Sequence, residues 1–219
     1  GPGLMLPEGT LQQARRELIR ALTVKRAEPP QVETGRLVPV PGGSPEVASL
    51  DTMFEVMSAA QLTEELAELE PDFLYVPLDV LAEDPGSIEP FLRRGATVAA
   101  VMPRVIHDGE LRGVAALLQK ARTAGVTQAL VGNLGHVGIA RAAGLDLRGD
   151  WSLNLFNSYS LQIAAKAGLL SAAVSFELNM EQIRQLSKPL DTEIIAYGRL
   201  PAMLTERCLI KASAGRCAC

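Results

Sequence analysis

Cysteine is nearly missing from this sequence until its end. Of 219 residues three are cysteine, Cys208, Cys217 and Cys219, so none is available to staple the preceding two hundred residues. The fold must therefore be held by burial. Histidine is scarcer still, with His107 and His136 alone, and the chain contains no HExxH, no GxSxG and no body cysteine for a histidine to activate. No conventional protease site is visible. Excess positive charge is also lacking. With 21 Lys and Arg against 25 Asp and Glu, the formal charge is −4, which removes nucleic-acid binding by charge alone. No run reaches the roughly 18 apolar residues that span a bilayer, and GPGLMLPEG at the start lacks the order of a secretory leader. The expectation is a cytoplasmic chain with no membrane partner. Its first residue is Gly rather than Met, which fits either an excised piece of a longer protein or processing.

What is present divides into four segments. Residues 1–25 are predicted to hold an N-terminal helix, since Leu11, Ala14, Leu18, Ala21 and Leu22 share one helical face and Thr10 and Gln13 are spaced as a capping box. Residues 26–50 contain Pro29, Pro30, Pro39, Pro41 and Pro45 with Gly42 and Gly43, a composition that breaks helix and ladder alike and predicts an extended connector. Over 51–200 short apolar runs alternate with helical stretches at intervals of about twenty residues. The predicted strands begin at Phe54, Phe73, Thr97, Gln128, Trp151 (WSLNLFN), Ser171 (SAAVSFEL) and Glu193 (EIIAYG). Helices are predicted from Ala60, Glu110 and Ser160, and Gly125, Gly144 and Gly168 stand where left-handed caps precede the next strand. Continuous apolar strands between amphipathic helices imply a parallel α/β sheet covered on both faces, and seven units in this length favour a compact, incomplete (β/α) TIM-barrel-like domain. Residues 201–219 begin a cysteine-rich segment.

In such a fold functional residues gather where strands end. The predicted ends carry Ser58, Asp79, Arg104, Asn133, Asn154, Asn157, Glu177, Asn179 and Arg199, most densely on the last three units. Asn154 and Asn157 suit strand-end capping as well as substrate contact. Glu177, after an apolar run, needs a partner or solvent, and structural pairing and catalysis both satisfy that. Arg199 can clamp a carboxylate or phosphate, or pair with Glu177. VGNLGHVG, from Val131 to Gly138, places backbone amides at a strand-to-helix turn, where they serve either an anion or the turn itself. His107 reads as a solvated loop residue. The grouped thiols of Cys208, Cys217 and Cys219 suit zinc or an iron–sulfur cluster, each wanting four ligands, or else form a reduced tail.

The stretches NLFNS, SFELN and YGRLPAM followed by spaced cysteines resemble the collagenase-like peptidase family U32, over roughly Leu50 to Cys219. The N-terminal helix is similar to the segment that precedes the second barrel-like half in long members, so the preceding half of the same parent protein is the implied partner. The resemblance implies either peptidase activity or oxygen-independent hydroxylation supported by a cysteine-bound iron–sulfur cluster, with RNA or a protein as substrate. Cys208 and Cys217 match cluster-ligand positions, and Cys219 offers a third. Glu177, Arg199, Asn154 and Asn157 are then the candidate catalytic residues. The other reading is a non-catalytic half that places a large substrate.

Three thiols leave a four-ligand site one short, and ordering a tail to bind metal costs free energy that an incomplete site does not return. This chain, purified without oxygen, is expected to lack the visible absorbance of an iron–sulfur cluster. A longer chain supplying the missing ligand is expected to be brown after reconstitution and to lose the colour on Cys208→Ala or Cys217→Ala.

Overall fold

The computed structural model describes residues 3, 7–29, 35, 38, 40, 50–201, 203–205 and 207–216. The chain forms two compact units, Gly1–Pro39 and Val40–Cys219. The first contains helix α1 (Glu8–Ala27), which starts before the predicted capping box. Pro7 fills the N-cap and accepts from the Thr10 backbone N–H, so Thr10 is already inside the helix, while Gln13 donates to Glu17 one turn on, at 3.0 Å. Lys25 and Arg26 occupy the last turn, where the helix dipole favours cations. Most of the predicted connector lies outside the described residues.

The second unit is a seven-stranded, wholly parallel sheet in sequential order: β1 (Met53–Glu55), β2 (Phe73–Pro77), β3 (Thr97–Val101), β4 (Gln128–Val131), β5 (Asp146–Gly149), β6 (Leu169–Ala173) and β7 (Asp191–Glu193). Helices α2 (Glu64–Glu68), α3 (Leu78–Glu83), α4 (Glu89–Arg93), α5 (Leu111–Thr123), α6 (Val137–Ala142), α7 (Ser158–Lys166) and α8 (Met180–Gln185) return the chain between strands, and α9 (Leu209–Ala214) follows. Gly125, Gly144 and Gly168 have φ of 100°, 76° and 81°, the left-handed caps that the sequence suggests.

Two strands lie elsewhere than predicted. The fifth is Asp146–Gly149, not the run from Trp151, because residues 151–153 turn as a short 3-10 helix and Asn154 is left-handed at φ 50°. One parallel bridge between Leu155 and Val174 is what remains of the predicted pairing. The seventh shares only Glu193 with its predicted span, and Ile194 onward leaves the sheet.

The sheet's two faces differ sharply. Leu74, Val76, Val98, Ala100, Ala129 and Val131 point outward into the main core, where Leu81, Phe91, Leu118 and Leu161 from the helices complete the packing. This layer removes most apolar area from water and is the principal source of stability. The opposite, inner face carries only a small apolar group, Tyr75, Ala99 and Leu130 with Met53, Phe73 and Val101 beside them. Next to that group lies a buried polar knot. The Arg148 guanidinium bonds Glu193 Oε1 through Nε at 3.0 Å and Nη2 at 2.9 Å, and its Nε donates to the Tyr75 hydroxyl at 2.8 Å. That hydroxyl donates onward to Glu193 Oε2 at 2.9 Å, and the Ser171 hydroxyl donates to Glu193 Oε1. Gln128 Oε1 accepts from Nη1 at 3.3 Å, and the guanidinium carbon lies 3.9 Å from the centre of the Phe73 ring. Because β2 thereby touches β7 across the inner face, the sheet is curled into a half-barrel although its two edge strands do not pair.

Removing one member of a buried ion pair leaves the other charge uncompensated, at a cost of about 3–5 kcal/mol, whereas an apolar pair of similar volume avoids it. Urea unfolding is expected to show Glu193→Ala destabilised by about that amount. The double variant Arg148→Met with Glu193→Leu should lose less than Glu193→Ala alone.

Candidate active site

Parallel strands present their carboxyl ends on one rim, and the inward-facing residues there form a mouth. β1 ends in Glu55, whose side chain faces inward like Met53 two residues before it. Arg104 follows β3 and Asp150 follows β5. Asp150 is held firmly: Oδ1 accepts the Trp151 N–H at 2.7 Å, Oδ2 accepts from the Ser152 hydroxyl at 2.7 Å, and Arg104 Nη2 stands 3.8 Å away. The Arg104 guanidinium carbon lies over Trp151, 4.0 Å from the ring centroid, and the half-exposed Phe176 ring meets Trp151 edge-on at 5.5 Å. Ser152 also reaches the Gly132 carbonyl at 3.0 Å, and a side chain at Gly132 would collide with the Ser152 hydroxyl and press on Asp150. The glycine at the end of β4 is what lets this corner close.

Glu55 differs electrostatically from its neighbours. The residue is exposed, and protein crowds one side of its carboxyl in the mouth. Partial burial pushes its pKa up to about 7, the Asp150 carboxylate pushes the same way, Arg104 opposes, and Glu193 adds a smaller upward push. The mouth thus combines a carboxyl that exchanges its proton near neutrality with a fixed guanidinium.

The residues singled out from sequence are dispersed among other tasks. Asn157 accepts from the backbone N–H groups of Tyr159 and Ser160 at 3.0 and 2.9 Å and forms a capping box with Ser160, so it starts α7. Asn179 does the same for α8 with Gln182, and Asn133 caps the turn at Gly135. Asn154 is the exposed left-handed residue after Asp150's turn. Glu177 and Arg199 are both exposed, Glu177 beyond β6 and Arg199 beyond β7. Among the described residues they form no ion pair with each other. In VGNLGHVG, His136 is buried, its Nδ1 has no hydrogen-bond partner among the described residues, and burial lowers its pKa. Cys208 caps α9, its sulfur accepting the Lys211 N–H at 3.3 Å, while Cys217 and Cys219 lie outside the described residues. No group of three or more His, Cys, Asp or Glu among the described residues is placed to hold a metal ion. Arg104 is the one residue of the mouth among the predicted strand ends. Glu55, Asp150, Arg148 and Glu193 went unnoticed, although a lone Glu within the apolar FEVM run was a signal of an inward-facing charge.

The model of peptidase family U32 matches residues 86–218, more than half of the chain. Among solved structures the chain is similar to the U32 peptidase Mk0906, with a TM-score of 0.48 and 15% identity over 67% of this chain and 70% of that one. A D-psicose 3-epimerase solved in the presence of D-fructose gives 0.45 and 10%, covering 69% and 78%. The tryptophan synthase alpha chain from Legionella pneumophila subsp. pneumophila gives 0.44 and 14%, covering 66% and 70%. No curated protein matches the chain.

A carboxyl whose pKa is raised on folding stabilises below its unfolded value and loses that contribution as pH rises through the folded value. For Glu55 this window runs from 4.5 to about 7. His136 acts oppositely, since its lowered pKa makes its contribution fall away as pH drops. Glu55→Gln is therefore expected to raise unfolding stability over the parent at pH 8 and to lose that advantage by pH 4.5, measured as paired urea titrations.

Proposed function

The chain belongs to peptidase family U32, and from that premise we propose that its mouth hydrolyses an amide bond of a polypeptide, with Glu55 moving the proton and Arg104 facing the carbonyl oxygen. The observation that supports this reading most is the meeting of Glu55 from β1 and Arg104 from β3 in one electrostatic neighbourhood, with Asp150 beside both. Glu55 in its ionised form takes a proton from water as the water oxygen bonds to the carbonyl carbon. The negative charge that develops on the carbonyl oxygen is met by the Arg104 guanidinium, whose orientation is preset by Trp151 and Asp150. When the carbon–nitrogen bond breaks, Glu55 returns its proton to the leaving nitrogen, and acid and amine result. A carboxyl titrating near neutrality suits both transfers. Asp150 is a positioning residue: it anchors Arg104 and keeps Glu55 basic enough to act.

A second reading draws on the half-exposed Phe176 beside Trp151, which offers an aromatic ledge to an unpaired base and so favours RNA as substrate. The iron–sulfur chemistry attached to that reading would draw on Cys208, Cys217 and Cys219 together with a fourth ligand. Of these, Cys208 lies at the start of α9, and Cys217 and Cys219 lie outside the described residues. Competition by a single-stranded RNA against peptide cleavage would favour the second reading.

Glu55→Gln and Arg104→Met are each expected to lower kcat/KM on a peptide substrate by about 10²-fold or more. In the parent chain, kcat/KM should rise with pH through about 7 on its acid limb. Asp150→Asn removes a negative neighbour of Glu55, so that limb should move to lower pH as the rate falls. A rate loss with an unmoved limb would assign Asp150 to structure alone.

A further inference from the structure

β1 is an edge strand: among the described residues it pairs with β2 on one side only, so its other side presents unpaired backbone donors and acceptors. Against it runs a groove of about 420 Å³ between β1 and α2. Its apolar lining is Phe54, Val56, Leu66 and Leu69, and Leu69 is 63% exposed although it is a large apolar side chain. Its charged lining is Glu55 and Glu65, with no cationic side chain among the lining residues. The Glu65 carboxyl is held below the usual carboxylate range by its own backbone N–H and the Thr63 hydroxyl, so it stays ionised near neutrality.

We propose that this groove is the docking subsite for the substrate, an extended polypeptide that adds as a strand to the outer edge of β1 and alternates basic with apolar side chains. The proposal rests on the reading of the mouth as a peptide-cleaving site and names what that site takes. The edge backbone selects an extended chain, because only a strand can satisfy a row of strand donors and acceptors. Side chains of an added strand alternate between its two faces. One set therefore reaches the apolar lining on the α2 side, where Glu65 stands with Leu66 and Leu69, and the other lies on the inner side with Glu55, and at each carboxylate a cation gains most. Glu55 belongs both to the groove and to the mouth, so a strand lying on β1 passes its backbone beside the group that moves the proton.

The test uses the full 219-residue chain carrying Arg104→Met, which removes a mouth residue and leaves the groove unchanged. A fluorescein-labelled octapeptide of alternating Lys and Val is titrated with it by fluorescence anisotropy, beside the same peptide N-methylated at alternate backbone nitrogens. Binding of the first peptide is expected, weakened tenfold or more by N-methylation and likewise by adding Leu69→Arg, with Leu69→Ser intermediate. Because Leu69 is exposed, circular dichroism should show both variants folded. Equal binding of both peptides, indifference to Leu69, or no binding overturns the docking. A dimer of the chain that Leu69→Arg dissolves, with no peptide bound, also overturns it and makes a second copy the occupant. The two readings fail separately. A chain with Arg104 restored that binds the peptide yet leaves it intact keeps the docking and sinks the amide hydrolysis. Cleavage that ignores Leu69 and N-methylation keeps the hydrolysis and sinks the docking.

Discussion

One buried ion pair sets the shape on which everything else depends. Arg148 and Glu193 meet on the inner face of the sheet with side chains 5% and 8% exposed, a placement too costly for either charge alone. Their bonds to each other, to Tyr75, Ser171 and Gln128, and the Phe73 ring beneath the guanidinium satisfy both partners at once. Burial and the nearby Glu193 charge hold the Tyr75 phenol above its ordinary range, so it remains a neutral donor to that carboxylate. The pair brings little net stability compared with the apolar layer outside the sheet. What it contributes is a fixed geometry, because the knot is satisfied only when β2, β5, β6 and β7 curl toward one another.

That curl gives the mouth its chemistry. Glu55, Arg104 and Asp150 come from three strands that neighbours in a flat sheet would keep apart, and only curvature lets their fields overlap at Glu55. At the mouth, unlike in the buried knot, Glu55 stays in contact with water and exchanges its proton near neutrality. The outer face, packed with helices, is an apolar layer. Stability and reactivity are thus assigned to opposite sides of the same seven strands.

The sequence made the outer layer easy to read and the inner face hard. Alternating apolar runs and helical stretches gave seven parallel units, since periodicity reports burial against helices, and the motifs around NLFNS, SFELN and YGRLPAM pointed to the family that the match to residues 86–218 shows. β5 was misplaced because its sequence, DLRG, carries charges where a strand was sought, and the more apolar run after Trp151 drew the assignment. The inward Arg148 looks unlike a strand residue until its partner, 45 residues away, is known. Asn157 and Asn179 were visible as polar residues at strand ends, yet local capping claimed them. Nothing in local spacing tells a cap from a contact when the helix beginning there needs its N–H groups satisfied.

The sequential strand order has a consequence for how the chain is made. Each βα unit packs on the unit just synthesised, so most contacts are local and growth from the amino end can proceed without waiting. The bond between Tyr75 and Glu193 is the exception, spanning 118 residues. Until β7 emerges, Arg148 has no carboxylate, and on the uncovered inner face its guanidinium and the Tyr75 phenol keep their water. The nascent sheet is therefore an open, flexible ribbon, and the appearance of a single glutamate converts it into a curved wall.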